Sequence, residues 1–134
     1  MAQTTTISQK ELKRQSAACF EGKTLYVMLC SVGATGYSAE STVANWQSVE
    51  KSGNGYARFS QVIGTGAYDA TTGTYKLPDI DAAFTATGAG YSYDRIVLYI
   101  SGETYIHSLI AEDPNITLSA SQTQTYRLSI RQDD

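Results

Sequence analysis

The run Leu25-Tyr26-Val27-Met28-Leu29-Cys30 limits what this chain can fold into more than any other feature. Six residues without a charge or a turn former make one strand, and side chains that alternate across a strand then need apolar cover on both faces. The run is read as a central strand.

From Tyr56 onward strand and turn alternate, with runs near 56–63, 74–77, 82–87, 93–100, 104–111, 115–119 and 124–130 bounded by turn residues. In Asp94 to Ile100, Ile96, Leu98 and Ile100 share one face while Arg95, Val97 and Tyr99 share the other. Ser101-Gly102-Glu103 offers a tight hairpin into the run that starts at Thr104. At the other end, Tyr126, Leu128 and Ile130 alternate with Thr125, Arg127 and Ser129, and Ile116-Thr117-Leu118 is the expected hairpin partner through Ser119–Gln122. Many short strands in 134 residues predict a mainly β chain, a β-sandwich or jelly-roll-like domain, because a single sheet would leave one apolar face in water. A partly open barrel is the competing architecture.

The amino-terminal stretch reads differently. Residues 1–6 are polar and threonine-rich; Ser8 and Glu11 have the spacing of a capping box, Ile7 and Leu12 that of a hydrophobic staple, and Gly22 is placed for a left-handed C-cap. The expected organisation is an arm and short helix over 1–23, followed by the β domain over 24–134. Lys10, Lys13, Arg14 and Lys23 outnumber Glu11 and Glu21, so the first stretch is either a solvated helix face or an arm that docks on an acidic neighbour. Further on, Val43, Trp46 and Glu50 have the spacing of a short helical turn, after a glycine-punctuated loop at 33–38.

A net charge of −3 gives no basic stripe for displacing phosphate counterions, so nucleic acid is not an expected partner. No apolar run approaches the roughly 20 residues a bilayer requires, and no basic-then-apolar leader is seen, so the expectation is a protein folded in the cytoplasm without a membrane partner. Cys19 and Cys30 have no metal-site spacing and are read as buried thiols.

No catalytic motif stands out. His107 is the sole histidine, lies in a predicted strand and has no nucleophile elbow to serve, so it is read as structural. Asp79 and Asp81 flank Ile80 beside Pro78, which is turn chemistry more than a calcium loop. Gly64-Thr65-Gly66 and Gly88-Ala89-Gly90 lack the Lys-Ser/Thr of a phosphate loop and are read as turns. No catalytic residue, metal ligand or cofactor is assigned. The 10 tyrosines stand against one Trp and three Phe. A ring with a polar tip suits half-buried sheet surfaces and contact surfaces alike, so Tyr91, Tyr93, Tyr99 and Tyr105, with Lys10, Lys13 and Arg14, are the candidate interface residues.

Two stretches, Tyr-Ser-Tyr-Asp-Arg-Ile-Val-Leu-Tyr-Ile-Ser-Gly from Tyr91 and Pro-Asn-Ile-Thr-Leu-Ser-Ala-Ser-Gln-Thr-Gln-Thr-Tyr-Arg-Leu-Ser-Ile from Pro114, resemble small virion proteins of tailed bacteriophages. The resemblance implies a non-enzymatic capsid decoration (cement) protein, or a tail or baseplate component, made in the host cytoplasm and assembled into the virion. It also implies contacts with other virion proteins, the major capsid protein first, and with itself as a homo-oligomer such as a trimer. The competing function is a carbohydrate-binding module in which Trp46 or an exposed tyrosine stacks on a sugar ring. A small β-rich enzyme is the third and least favoured.

Overall fold

The structure is a computed structural model, and it describes residues 11, 14, 15, 18–32 and 36–133, for 112–114, 132 and 133 the backbone alone. Among the described residues the elements follow in the order β1 (Thr24–Cys30), α1 (Val43–Gln47), β2 (Phe59–Val62), β3 (Ala67–Asp69), β4 (Thr74–Lys76), β5 (Ile80–Thr85), β6 (Tyr91–Ile100), β7 (Ser108–Leu118), β8 (Thr123–Leu128) and β9 (Arg131–Asp133). The chain is mainly β, and its sheets are antiparallel. They are a four-stranded sheet β2-β1-β6-β7, a three-stranded sheet β3-β4-β9 and the pair β5-β8.

β1 holds the interior place its sequence predicts, between β2 and β6. Its side chains part by parity. Leu25, Val27 and Leu29 enter a core with Ile96, Leu98 and Ile100 of β6, Ile80, Ala82 and Phe84 of β5, Leu77, and Leu128 of β8. Met28 and Cys30 enter a second core on the opposite face with Val97, Tyr99, Val43 and Trp46. Val27 to Cys30 are fully buried, which for Val27, Met28 and Leu29 contributes about 1.5–3 kcal/mol of transfer free energy each.

α1 covers the second face. Thr42 caps it, its hydroxyl accepting from the Asn45 amide at 3.1 Å while the Asn45 side-chain oxygen accepts from the Thr42 amide at 3.2 Å. Fixed in this way, the short helix turns Val43 and Trp46 onto the sheet, and the Trp46 indole N–H donates to the Ser38 carbonyl at 3.1 Å. Glu50, read as part of the same turn, lies beyond the helix in a bridge with Cys30.

β6 carries two phases of alternation. Tyr91 and Tyr93 face the first core from odd positions, and Ile96, Leu98 and Ile100 face it from even ones. The switch coincides with a break in the β6–β7 ladder between Tyr93↔Ile116 and Arg95↔Ala111. Asp94 alone on β6 faces four residues of β7 there, and an unequal count of this kind reverses which face a strand presents. β7 therefore runs through what the sequence divides into strands at 104–111 and 115–119.

Three sequence expectations are corrected. The hairpin after Ile100 is wider than Ser101–Glu103: pairing resumes at Leu98↔Ser108, because Thr104 and Tyr105 turn aside to meet α1, Val43 donating to the Thr104 carbonyl at 2.8 Å. β8 does not pair with Ile116–Leu118, which belong to β6; it pairs with β5, from Ile80↔Leu128 to Thr85↔Thr123. The turn at 119–122 thus carries the chain from one sheet to another, fastened by Ser121 donating to the Ala86 carbonyl at 2.8 Å and Ala86 to the Gln122 carbonyl at 3.0 Å. Cys19 is exposed, and only Cys30 is buried.

The expected amino-terminal helix falls for the most part outside the described residues, as do Lys10, Lys13 and residues 33–35 of the glycine loop. Arg14 is described, exposed and ion-paired with Glu11. From Phe20 the chain is stitched to the body: Phe20 packs against the first core, the Glu21 carboxylate accepts from the Gly66 amide at 2.9 Å and the Tyr75 hydroxyl at 2.6 Å, and Gly22, at φ +77°, donates to the Ile63 carbonyl at 2.9 Å. The left-handed conformation expected at Gly22 is present.

The sheet change tests the fold most sharply. Gly90 has φ +75°, and a Cβ there would stand 2.0 Å from the Leu118 carbonyl oxygen, whereas Gly102, at φ +87°, has nothing within 4 Å. Gly102→Ala is expected to cost about 1–2 kcal/mol for its backbone conformation alone, and Gly90→Ala more than about 3 kcal/mol from conformation plus collision. Urea unfolding of the two variants checks the order; equal losses would mean that the Gly90–Leu118 approach is not tight.

Candidate functional site

Of the four candidate tyrosines, three are core. Tyr93 is 0% exposed, Tyr99 5% and Tyr91 7%, while Tyr105 is 63% exposed. The correction has a local cause in each case. The Tyr93 hydroxyl reaches the Tyr126 hydroxyl at 2.6 Å across the first core, and Tyr91 stands edge-on to Tyr56 at 5.7 Å. Tyr99 stacks on Tyr26 with ring centroids 5.0 Å apart, under the Arg58 guanidinium, which lies 5.8 Å from the Tyr99 centroid and 5.9 Å from that of Tyr26.

That guanidinium belongs to a latch the sequence does not announce. Arg58 pairs with Glu50 through two nitrogens and donates to the Tyr99 hydroxyl at 2.8 Å. Glu50 also accepts from the Tyr56 hydroxyl at 2.6 Å, and Tyr56 in turn accepts from the Leu29 amide at 3.1 Å. Burial raises the Tyr56 pKa, the hydrogen bond to Glu50 adding to it, and pairing with Glu50 raises that of Arg58. Every polar group in this set is turned on another, so the cluster fastens residues 50–58 to the central sheet.

Tyr105 sits at a different kind of place. With Ala18, Cys19, Phe20, Lys23, Ile100, Glu103, Ile106 and His107 it lines an open cleft of about 340 Å³ between the end of the amino-terminal segment and the β6–β7 loop. His107 meets Phe20 edge to face at 5.5 Å, and its Nδ1 lies 2.7 Å from the Ser108 hydroxyl. The Lys23 ammonium donates to the Ala18 carbonyl. Within this cleft an apolar floor meets one aromatic side chain held out into solvent, the composition of an anchor point for a polypeptide. The sequence carries no signal for it, since the run from Thr104 reads as strand and the structure alone puts Tyr105 in a loop.

A second open cleft, of about 350 Å³, is lined by Thr65, Ala67, Tyr68, Asp69, Lys76, Leu77, Pro78 and Asp79. Its charges are engaged: Asp79 pairs with Lys76 at 3.1 Å and Arg127 at 3.4 Å, which holds its carboxyl below the usual range, and Asp69 accepts from the Thr71 amide at 2.9 Å. The described residues contain no group of three His, Cys, Asp or Glu side chains placed to hold a metal ion. No described helix is long and apolar enough to cross a membrane.

The two thiols differ enough to be told apart in solution. Cys30 is 0% exposed, and burial pushes its thiol up to about 12, while Cys19 lies open at the cleft. Near pH 8 the folded protein is expected to lose one thiol to an alkylating reagent, at the exposed Cys19, and the second only in denaturant, because Cys30 is sealed from the reagent and burial keeps it protonated. Peptide mapping of the labelled site checks this; prompt native labelling of Cys30 would mean that α1 does not seal the second core.

No family model, curated protein or solved structure matches the chain.

Proposed function

We propose that this chain is a non-enzymatic structural protein of a phage virion, a capsid decoration (cement) protein whose sheets pack as a β-sandwich and which stabilises the particle through subunit contacts. The observation that carries the reading is the cleft at Tyr105, where an anchor aromatic and the root of a basic amino-terminal segment share one surface. The resemblance over Tyr91–Gly102 and Pro114–Ile130 to small virion proteins supplies the context. A cement protein needs a body that does not deform and a peripheral grip. Here both faces of the central strands β1 and β6 are packed with apolar side chains, so gripping falls to the periphery of the body. Its partners are the major capsid protein and further copies of itself.

The test is whether the protein is found on assembled particles and strengthens them. It is expected to co-sediment with capsids through a density gradient, and capsids lacking it to break at lower temperature or higher shear. Tyr105→Ala is expected to leave unfolding free energy within about 0.5 kcal/mol while weakening particle binding; Tyr93→Ala, by contrast, costs about 3–5 kcal/mol. Particles whose composition and stability do not change without the protein would remove this reading.

A carbohydrate-binding module is favoured by one observation, the half-buried Tyr68 beside Asp69, Lys76 and Asp79 in the second cleft. Glycan binding abolished by Tyr68→Ala and untouched by Tyr105→Ala would select it instead.

A further inference from the structure

Lys10, Lys13, Arg14 and Lys23 against Glu11 and Glu21 give residues 1–23 a net charge of +2, and with −3 on the whole chain, residues 24–134 carry −5. Opposite charge on two parts of one chain makes a second copy a complementary partner, provided the acidic part offers a place to bind. β7 offers one.

It ends the four-stranded sheet, so its backbone groups on the side away from β6 meet no described strand. Natural edges are blunted by charges, prolines or bulges. In β7 the irregular stretch, with Pro114, is confined to residues 112–115, and Ser108-Leu109-Ile110-Ala111 contains neither charge nor proline. Ile110 is 37% exposed there. Acidic residues bracket this open segment in sequence, Glu103 in the loop before it and Glu112 and Asp113 after it. The opposite edge, β2, is only four residues long, contains no acidic residue and follows Arg58.

We propose that the amino-terminal segment of a second copy docks along β7 at Ser108–Ala111. The uncharged stretch Ala2-Gln3-Thr4-Thr5-Thr6-Ile7 supplies backbone partners to the edge, and Lys10 and Lys13, which follow it, lie toward Glu112 and Asp113. Arg14 is already held by Glu11. The proposal rests on the reading of residues 1–23 as the attachment segment and names its target. The surface given differs from the surface received, so successive copies close into a ring, a trimer among them, or run on as a chain.

Sedimentation equilibrium on the full chain tests it, in about 0.1 M and about 1 M salt, between which the Debye length falls from about 10 Å to about 3 Å. Beside it run a variant lacking residues 2–7, Ile110→Lys, and the pair Lys10→Glu with Lys13→Glu, alone and combined with Glu112→Lys and Asp113→Lys. The expected results are a concentration-dependent oligomer at least about tenfold weaker in high salt, monomers for the deletion and for Ile110→Lys, loss of association in the acidic pair and its recovery in the fourfold variant. A full chain monomeric at every concentration, or an oligomer indifferent to both the deletion and the charge exchange, overturns the proposal. Should Ile110→Lys unfold, which its circular dichroism would show, the deletion and the charge exchange decide. Capsid binding is scored separately: an oligomer without capsid affinity sinks the virion reading and leaves this contact standing, and a capsid-binding monomer does the reverse.

Discussion

Val27 to Cys30 have no access to water on either face, and the rest of the architecture meets that condition. A strand with apolar side chains on both faces is stable only when two different layers close on it, and the chain supplies them from distant segments. On one face lie β5, β8 and Leu77; on the other lies α1, five residues long, far too short to be helical on its own account. Trp46 makes that helix worthwhile. Its burial over Met28, Cys30 and Val97 supplies the tertiary contact that the capping box of Thr42 and Asn45 then orients. The Glu50–Arg58–Tyr99 latch ties down the segment that follows, so the cover cannot swing away from the sheet.

The same demand explains why the chain changes sheets. After β7 the first core still needs cover opposite Tyr91, Tyr93 and Ile96, and a tight hairpin back along β7 would have extended the existing sheet instead of covering it. The turn at 119–122 takes the other route. Ser121, at φ +71°, and Gly90, pressed against Leu118, let the backbones cross at close range, and Tyr126 arrives beneath Tyr93 with their hydroxyls joined. The ladder break at Asp94 belongs to this economy: it turns both halves of β6 toward one core although their apolar residues are out of phase in sequence.

What was legible in the sequence is what local periodicity encodes. The unbroken run of β1, the alternation of Ile96, Leu98 and Ile100, that of Tyr126, Leu128 and Ile130, and the helical turn of Val43 and Trp46 all take the faces expected of them. Pairing was less legible, because adjacency in sequence favours a hairpin and the link from β7 to β8 is one residue pattern with two geometries. β3 and β9 were missed for a different reason. Each has three residues, too few to show a period, and each exists by pairing with β4. The tyrosines were legible in number and not in place: a ring that can close a core or reach a partner has the same letter in both situations, and only the loop position of Tyr105 separates it from Tyr93 and Tyr99.

Spending both faces of the central strands on burial has a consequence for any partner. A β protein that leaves a face open can bind broadly across it; here both faces of the central strands β1 and β6 are closed, and the sheet edges, the loop around Tyr105 and the cleft near Tyr68 are among the described surfaces left to a partner. Contacts at such places are narrow, so strength must come from backbone pairing along an edge or from many copies acting together, and a rigid body makes either one cheaper by holding these surfaces in place before contact. Under the proposed function, a basic amino-terminal segment, an acidic body and an uncharged stretch of edge would serve repeated, modest contacts on an ordered surface.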